Sequence, residues 1–174
     1  GRGVCAWELK GGLFSGAATR QNRATLDMMV GETILYSTLT NNGTVNWNSG
    51  FLSSNAGTMS NNKNYNASSN DPLYNYGSRA FTNSSTGIFT KLTGTGTSVN
   101  TVAFTNNGIL NINSGTFQNN GSRFTNTGSL NLSGGTFLNF SPLSLNAGTN
   151  VTGTGPFSTT AKPPTLNHAL ASHV

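Results

Sequence analysis

Ionisable side chains are scarce: Asp, Glu, Lys and Arg make up 7% of 174 residues, and only Glu8, Asp27, Glu32 and Asp71 are acids. That poverty argues against hydrolytic chemistry, because glycosidases need a carboxylate pair and calcium sites need clustered acid oxygens. Glu8 and Asp27 fall at equivalent places in the repeat described below. The expectation there is a solvated acidic face near Lys10 and Arg23, with weak cation binding as the lesser reading. Cys5 is the only cysteine, so no intrachain disulfide can form, and it has no metal-ligand spacing with His168 or His173. Those histidines stand in AKPPTLNHALASHV with no acid beside them, which leaves a catalytic triad without local support. The Gly-rich stretch TGTGTS, Thr93 to Ser98, lacks the lysine and the following helix of a phosphate loop. No catalytic residue, metal or cofactor is expected, and the chain is not read as an enzyme.

Long apolar runs are missing too. Nothing approaches the roughly 18 consecutive residues of a membrane helix, so no transmembrane segment is expected, and no secretory leader opens the chain. The missing initiator Met reads as a processed, excised or trimmed product, so the lack of a leader says little about export. The net charge is +5 and the pI about 9.8, yet Arg2, Lys10, Arg20, Arg23, Lys63, Arg79, Lys91, Arg123 and Lys162 form no cluster. They are read as solvated surface, and nucleic acid is not an expected partner.

What is present is Gly, Asn, Ser and Thr, about half the chain. These are poor helix formers, and the apolar residues alternate singly with polar ones in bursts such as VNW, ILNI and SLNL, which is the period of a strand. FTNNGILNINSGTF (Phe104 to Phe117) returns about twenty residues later as FTNTGSLNLSGGTF (Phe124 to Phe137), and the phrase extends through the chain. Copies start at Gly1, Arg20, Leu39, Met59, Phe81, Phe104, Phe124 and Ser144. Asn stands two places after the start in all but the first, at Asn22, Asn41, Asn61, Asn83, Asn106, Asn126 and Asn146. Gly recurs at Gly12, Gly31, Gly50, Gly115, Gly135 and Gly155, and Gly94 joins if the fifth copy carries a two-residue insertion. Apolar pairs recur between them: Trp7 with Leu9, Leu26 with Met28, Val45 with Trp47, Tyr65 with Ala67, Leu110 with Ile112, and Leu130 with Leu132. Phe14, Leu52, Phe117, Phe137 and Phe157 supply one more apolar position per copy. Val151 is one place out of register in the last copy.

So short a period leaves no room for crossover helices. The pattern predicts an all-β, single-domain, right-handed parallel β-solenoid of about eight coils of roughly 20 residues. The solenoid spans residues 1–157, and a C-terminal tail, residues 158–174, follows. A β-sandwich is the competing fold, but it has no need of the same residue once per period. The apolar positions should stack into interior ladders, and the Asn column into an amide ladder that satisfies buried polar groups at one corner. The longer fourth and fifth copies should hold bulges or outward loops.

The phrases LTNNGTVNWNSG, FTNNGILNINSGTF and FTNTGSLNLSGGTF resemble the degenerate repeats of bacterial secreted β-helix proteins, of the autotransporter-passenger and filamentous-haemagglutinin kind. The likeness covers roughly residues 20–157 and is one of repeat style. It implies an extracellular right-handed β-helix with an adhesive or structural role, and it transfers no catalytic residue.

A solenoid exposes strand edges and apolar residues at its ends unless they are capped. The leading expectation is therefore a subunit that stacks head to tail on copies of itself into an extracellular filament, with Trp7, Phe14, Phe157, Leu166, Leu170 and Val174 as contact residues. The alternative is a fragment of a surface adhesin that binds glycan or host surface through Tyr65, Tyr74 and Tyr76. A third reading is ice binding by the hydroxyl row Thr40, Ser60, Thr82, Thr105 and Thr125.

Overall fold

The computed structural model describes residues 6–10, 12–14, 20–75, 80–160 and 165–166. Within them the chain is all strand and turn, with no helix. It winds through three parallel sheets of eight strands each. Sheet A runs from Ala6–Leu9 to Asn150–Gly153, sheet B from Gly12–Phe14 to Phe157–Thr159, and sheet C from Arg20–Asn22 to Thr165–Leu166. Each coil contributes one strand to each sheet, and each strand pairs in parallel with its equivalents on the coils above and below. This is the parallel β-solenoid that the repeat predicts.

Alternation drives the winding. In four-residue strands such as Thr44–Trp47 and Ser129–Leu132, every second side chain is buried, because successive side chains of a strand point to opposite faces. Three such faces enclose one narrow core. Leu26, Val45, Tyr65, Phe89, Leu110 and Leu130 form one interior column of sheet A. Phe81, Phe104 and Phe124 form a column in sheet C, with ring centroids 4.8 and 5.5 Å apart and planes within 10° of parallel. Phe117, Phe137 and Phe157 stack likewise in sheet B. Rings of different sheets meet edge-on, as Phe89 meets Phe104 at 5.6 Å and 86°, the offset that aromatic quadrupoles favour.

Several register expectations need correction. The last copy starts one residue earlier than the repeat suggests: Leu143 pairs with Phe124, and Leu145 takes the place opposite Asn126. Asn146 therefore lies outside the amide column, half-exposed in the turn. Val151 is in register, opposite Leu130. Phe14, Leu52 and Phe117 do not share one column, because sheet B slips between its ends. Phe14 pairs with Leu35, Leu52 pairs with Thr33 and Leu73, and Phe117 pairs with Ser98. Lys91, read from the sequence as solvated surface, has no solvent exposure; Tyr65 is buried as its place in the repeat predicts, against the surface role that the adhesin alternative gives it. The tail boundary at 157 falls inside the strand Phe157–Thr159, and Thr165–Leu166 adds a strand to sheet C beside Leu143–Leu145.

Candidate functional site

Three corners join the three sheets: stacked asparagines line two of them and stacked glycines the third. At the corner from sheet C to sheet A, the strand-ending asparagines turn inward. Asn22 donates through Nδ2 to Asn41 Oδ1 at 2.7 Å, Asn41 to Asn61 at 2.7 Å, and Asn61 to Asn83 at 2.8 Å. Asn83 donates in turn to Asn106 at 2.8 Å, and Asn106 to Asn126 at 2.6 Å. Steps of 19, 20, 22, 23 and 20 residues separate these partners, so the ladder absorbs the longer fourth and fifth coils without breaking. Five of the six side chains are wholly buried, and Asn22 is nearly so.

Backbone contacts fix the direction of this ladder. Oδ1 of Asn22 and Asn41 accepts from the backbone N–H of Ala24 and Gly43, while Nδ2 of Asn41, Asn83 and Asn106 donates to the carbonyls of Asn64, Ile109 and Ser129. A flipped amide would set donor against donor. Every rung therefore donates towards the C-terminal end of the rod, and Asn126 ends the series on Thr149 Oγ1.

A second amide ladder lines the corner from sheet B to sheet C. Asn100 donates to Asn119, Asn119 to Asn139, and Asn139 to Thr159 Oγ1, at 2.6, 2.7 and 3.4 Å. It points the same way. In the N-terminal coils its column is filled by Leu73, Leu52 and Thr33. The signal for it was visible in the sequence, since these asparagines keep the coil spacing, but they lie beyond the Phe117 position at which the repeat phrase ended.

Glycines stack at the remaining corner, from sheet A to sheet B. A Cβ on Gly50 would lie 2.0 Å from the carbonyl oxygen of Gly31 one coil below, and a Cβ on Gly115 would lie 2.4 Å from that of Gly94. Both have positive φ, +87° and +63°, so backbone approach and backbone conformation each require glycine. Trp47 closes this corner by donating from Nε1 to Gly50 O at 2.7 Å.

The interior residues Leu26, Met28, Val45, Trp47, Leu110, Ile112, Phe117, Leu130, Leu132 and Phe137 are all buried. Trp7 and Leu9 lie on the first strand of sheet A, opposite Leu26 and Met28. Their side chains, with those of Phe14, Tyr74 and Leu166, lie outside the described residues. So do Cys5, Tyr76, His168, Leu170, His173 and Val174.

The acids do not converge. Glu8 and Asp27 are register partners on sheet A, but Glu8 pairs with Lys10 at 3.5 Å while Asp27 accepts from Asn46. Glu32 accepts from Ser53, and Asp71 from Ser69 Oγ and the Gly50 N–H. Among the described residues no group of three or more His, Cys, Asp or Glu side chains could hold a metal.

The outward faces differ in how their polar groups are used. On sheet A, Asn66 donates to Asn46, Asn131 to Asn111, and Thr152 to Asn131, so this row is largely bonded to itself. On sheet C, Thr40, Ser60, Thr82, Thr105, Thr125 and Ser144 stand in register. These half-exposed hydroxyls make no hydrogen bond to another described side chain. No protein-family model, no curated protein and no solved structure matches the chain.

Proposed function

We propose that the chain is a non-enzymatic structural subunit that stacks head to tail on copies of itself into an extracellular filament, in the manner of secreted bacterial β-helix proteins. The observation that carries this reading is the direction of the amide ladders. Both run donor to acceptor towards the C-terminal end, one from Asn22 to Thr149 and the other from Asn100 to Thr159, so the rod is polar and its two ends are unlike. A contact between unlike ends repeats without closing, which is how filaments arise. The outer strands Asn150–Gly153 and Phe157–Thr159 each pair on one side only among the described residues. Phe157, stacked on Phe137 at 5.3 Å and only partly buried, continues its aromatic column towards the end of the rod.

Sedimentation velocity over a wide concentration range, with Phe157→Lys as comparison, tests the proposal. The parent chain should form growing linear species, and the variant should not. A parent chain that remains a uniform monomer at every concentration refutes it.

The hydroxyl row of sheet C favours a second reading, in which that face binds an ordered surface. The rungs repeat at about 4.8 Å, with their hydroxyls free to engage water or sugar. Thermal hysteresis tests ice and a glycan array tests an adhesin; for the adhesin, the burial of Tyr65 removes one of its three candidate tyrosines.

A further inference from the structure

Lys91 is the only fully buried cation among the described residues. It occupies the interior column of sheet A, where its register partners are Ala67 and Ile112. Its Nζ lies 3.2 Å from Asn70 Oδ1, 3.1 Å from Thr93 O and 3.5 Å from Ser69 O. All three are neutral oxygens, so no carboxylate holds the amine as a salt. The Asn70 carboxamide is confined on its other side by the TGTGTS stretch. A Cβ on Gly94 would lie 2.5 Å from Asn70 Oδ1, and one on Gly96 would lie 2.8 Å from its Nδ2. These two glycines make the space that the carboxamide fills. Asn70 itself is exposed, so a small leaving group has a path to water.

The contact sits beside the seam of sheet B that shares the fewest register pairs among the described residues. Neighbouring strands of sheet B share three or four register pairs elsewhere, whereas Leu73–Asn75 and Thr97–Asn100 share only Leu73 with Asn100. A link from Asn70 to Lys91 spans this seam, joining the fourth coil to the fifth.

We propose that Lys91 and Asn70 form an intramolecular isopeptide bond. Nζ attacks Cγ of Asn70, the Nζ–Cγ bond forms, and the Cγ–Nδ2 bond breaks. One proton lost by Nζ leaves with Nδ2 as ammonia, and no oxidant, reductant or co-reactant is consumed. Burial lowers the ammonium's affinity for its proton, which raises the share of the neutral amine that the attack requires. The fold supplies the rest, because fixed intramolecular partners reach effective concentrations of about 10⁵–10⁸ M. The hydrogen bond from Nζ to Oδ1 holds the amine against the carbonyl that it attacks.

Intact-mass spectrometry of the purified full chain, aged at mildly alkaline pH and then digested with trypsin, is the test. The mass should fall short of the sequence by one ammonia, and the digest should contain a branched peptide joining the Asn70 and Lys91 segments, with no cleavage after Lys91. Lys91→Arg and Asn70→Ala should each restore the full sequence mass. A full mass in the aged parent chain overturns the proposal. Loss of ammonia without the branched peptide also overturns it, since that pattern belongs to succinimide formation at an asparagine.

Discussion

Asn83 sits in the middle of the longer amide ladder, and replacing it measures what that ladder contributes. Its Oδ1 accepts from Asn61, and its Nδ2 reaches Asn106 Oδ1 at 2.8 Å, Ile109 O at 2.9 Å and Gly87 O at 3.1 Å. Asn83→Ala removes all four contacts in a place that water does not reach. Asn61 keeps backbone acceptors at Lys63 and Ile88, so its amide is only partly orphaned. Asn106 Oδ1 loses the amide that donates to it and is left buried, a penalty of about 1–3 kcal/mol, and each net hydrogen bond adds about 1 kcal/mol. With about 1 kcal/mol for each of the other three contacts, the expected loss is about 4–6 kcal/mol in chemical unfolding monitored by circular dichroism. The control is Asn62→Ala, which removes one bond from a half-exposed side chain to Asn42 and should cost under about 1 kcal/mol.

Asn83→Asp sharpens the test. A carboxylate there can still accept from Asn61 but cannot donate, and it faces three oxygens. Its pKa should rise above the unfolded value of about 3.9. The folded state then binds the proton more tightly, so this variant should gain stability as the pH falls through its raised pKa. Equal losses for Asn83→Ala and Asn62→Ala, or no such recovery in acid, would refute the ladder as a source of stability.

Other substitutions probe the core and the glycine corner. Phe104→Ala, taken from between Phe81 and Phe124, should cost about 3–5 kcal/mol, whereas Phe140→Ala, at a side chain 48% exposed, should stay within about 0.5 kcal/mol in the same unfolding assay. Gly50→Ala should cost about 2 kcal/mol or more, because a residue with a Cβ is strained at φ +87° and this Cβ meets fixed backbone; a soluble variant with an unchanged midpoint would contradict the close approach of the coils. In a Trp7→Phe background, Trp47, 2% exposed and bonded to Gly50 O, should emit at short wavelength and resist acrylamide quenching until the chain unfolds.

The solenoid was legible because the stacking rule acts on every coil alike. Asn22, Asn41, Asn61, Asn83, Asn106 and Asn126 repeat where each amide must meet the next, and the alternation in ILNI and SLNL marks inward and outward faces. Legibility failed where the chain departs from its period. The turn at residues 140–142 is one residue shorter than the turn at 120–123 in the coil before, which moves the last coil by one place and puts Leu145 opposite Asn126. The longer turn at 146–149 then sets Val151 opposite Leu130. The second ladder was missed because sheet B changes register near Asn70–Asn100, so Asn100, Asn119 and Asn139 share a column with Leu73 and Leu52. Lys91 reads as surface in the sequence because a charge usually is. Only its three-dimensional neighbours, Ala67 and the oxygens of Ser69, Asn70 and Thr93, reveal that the core has room and acceptors for it.

Head-to-tail stacking would continue the three sheets from one subunit to the next. Cryo-electron microscopy of the purified chain at high concentration tests it most directly. The account predicts unbranched filaments one solenoid wide, with a continuous rung spacing of about 4.8 Å across every joint and all subunits pointing the same way. Separate single rods, or pairs joined by like ends, would contradict it.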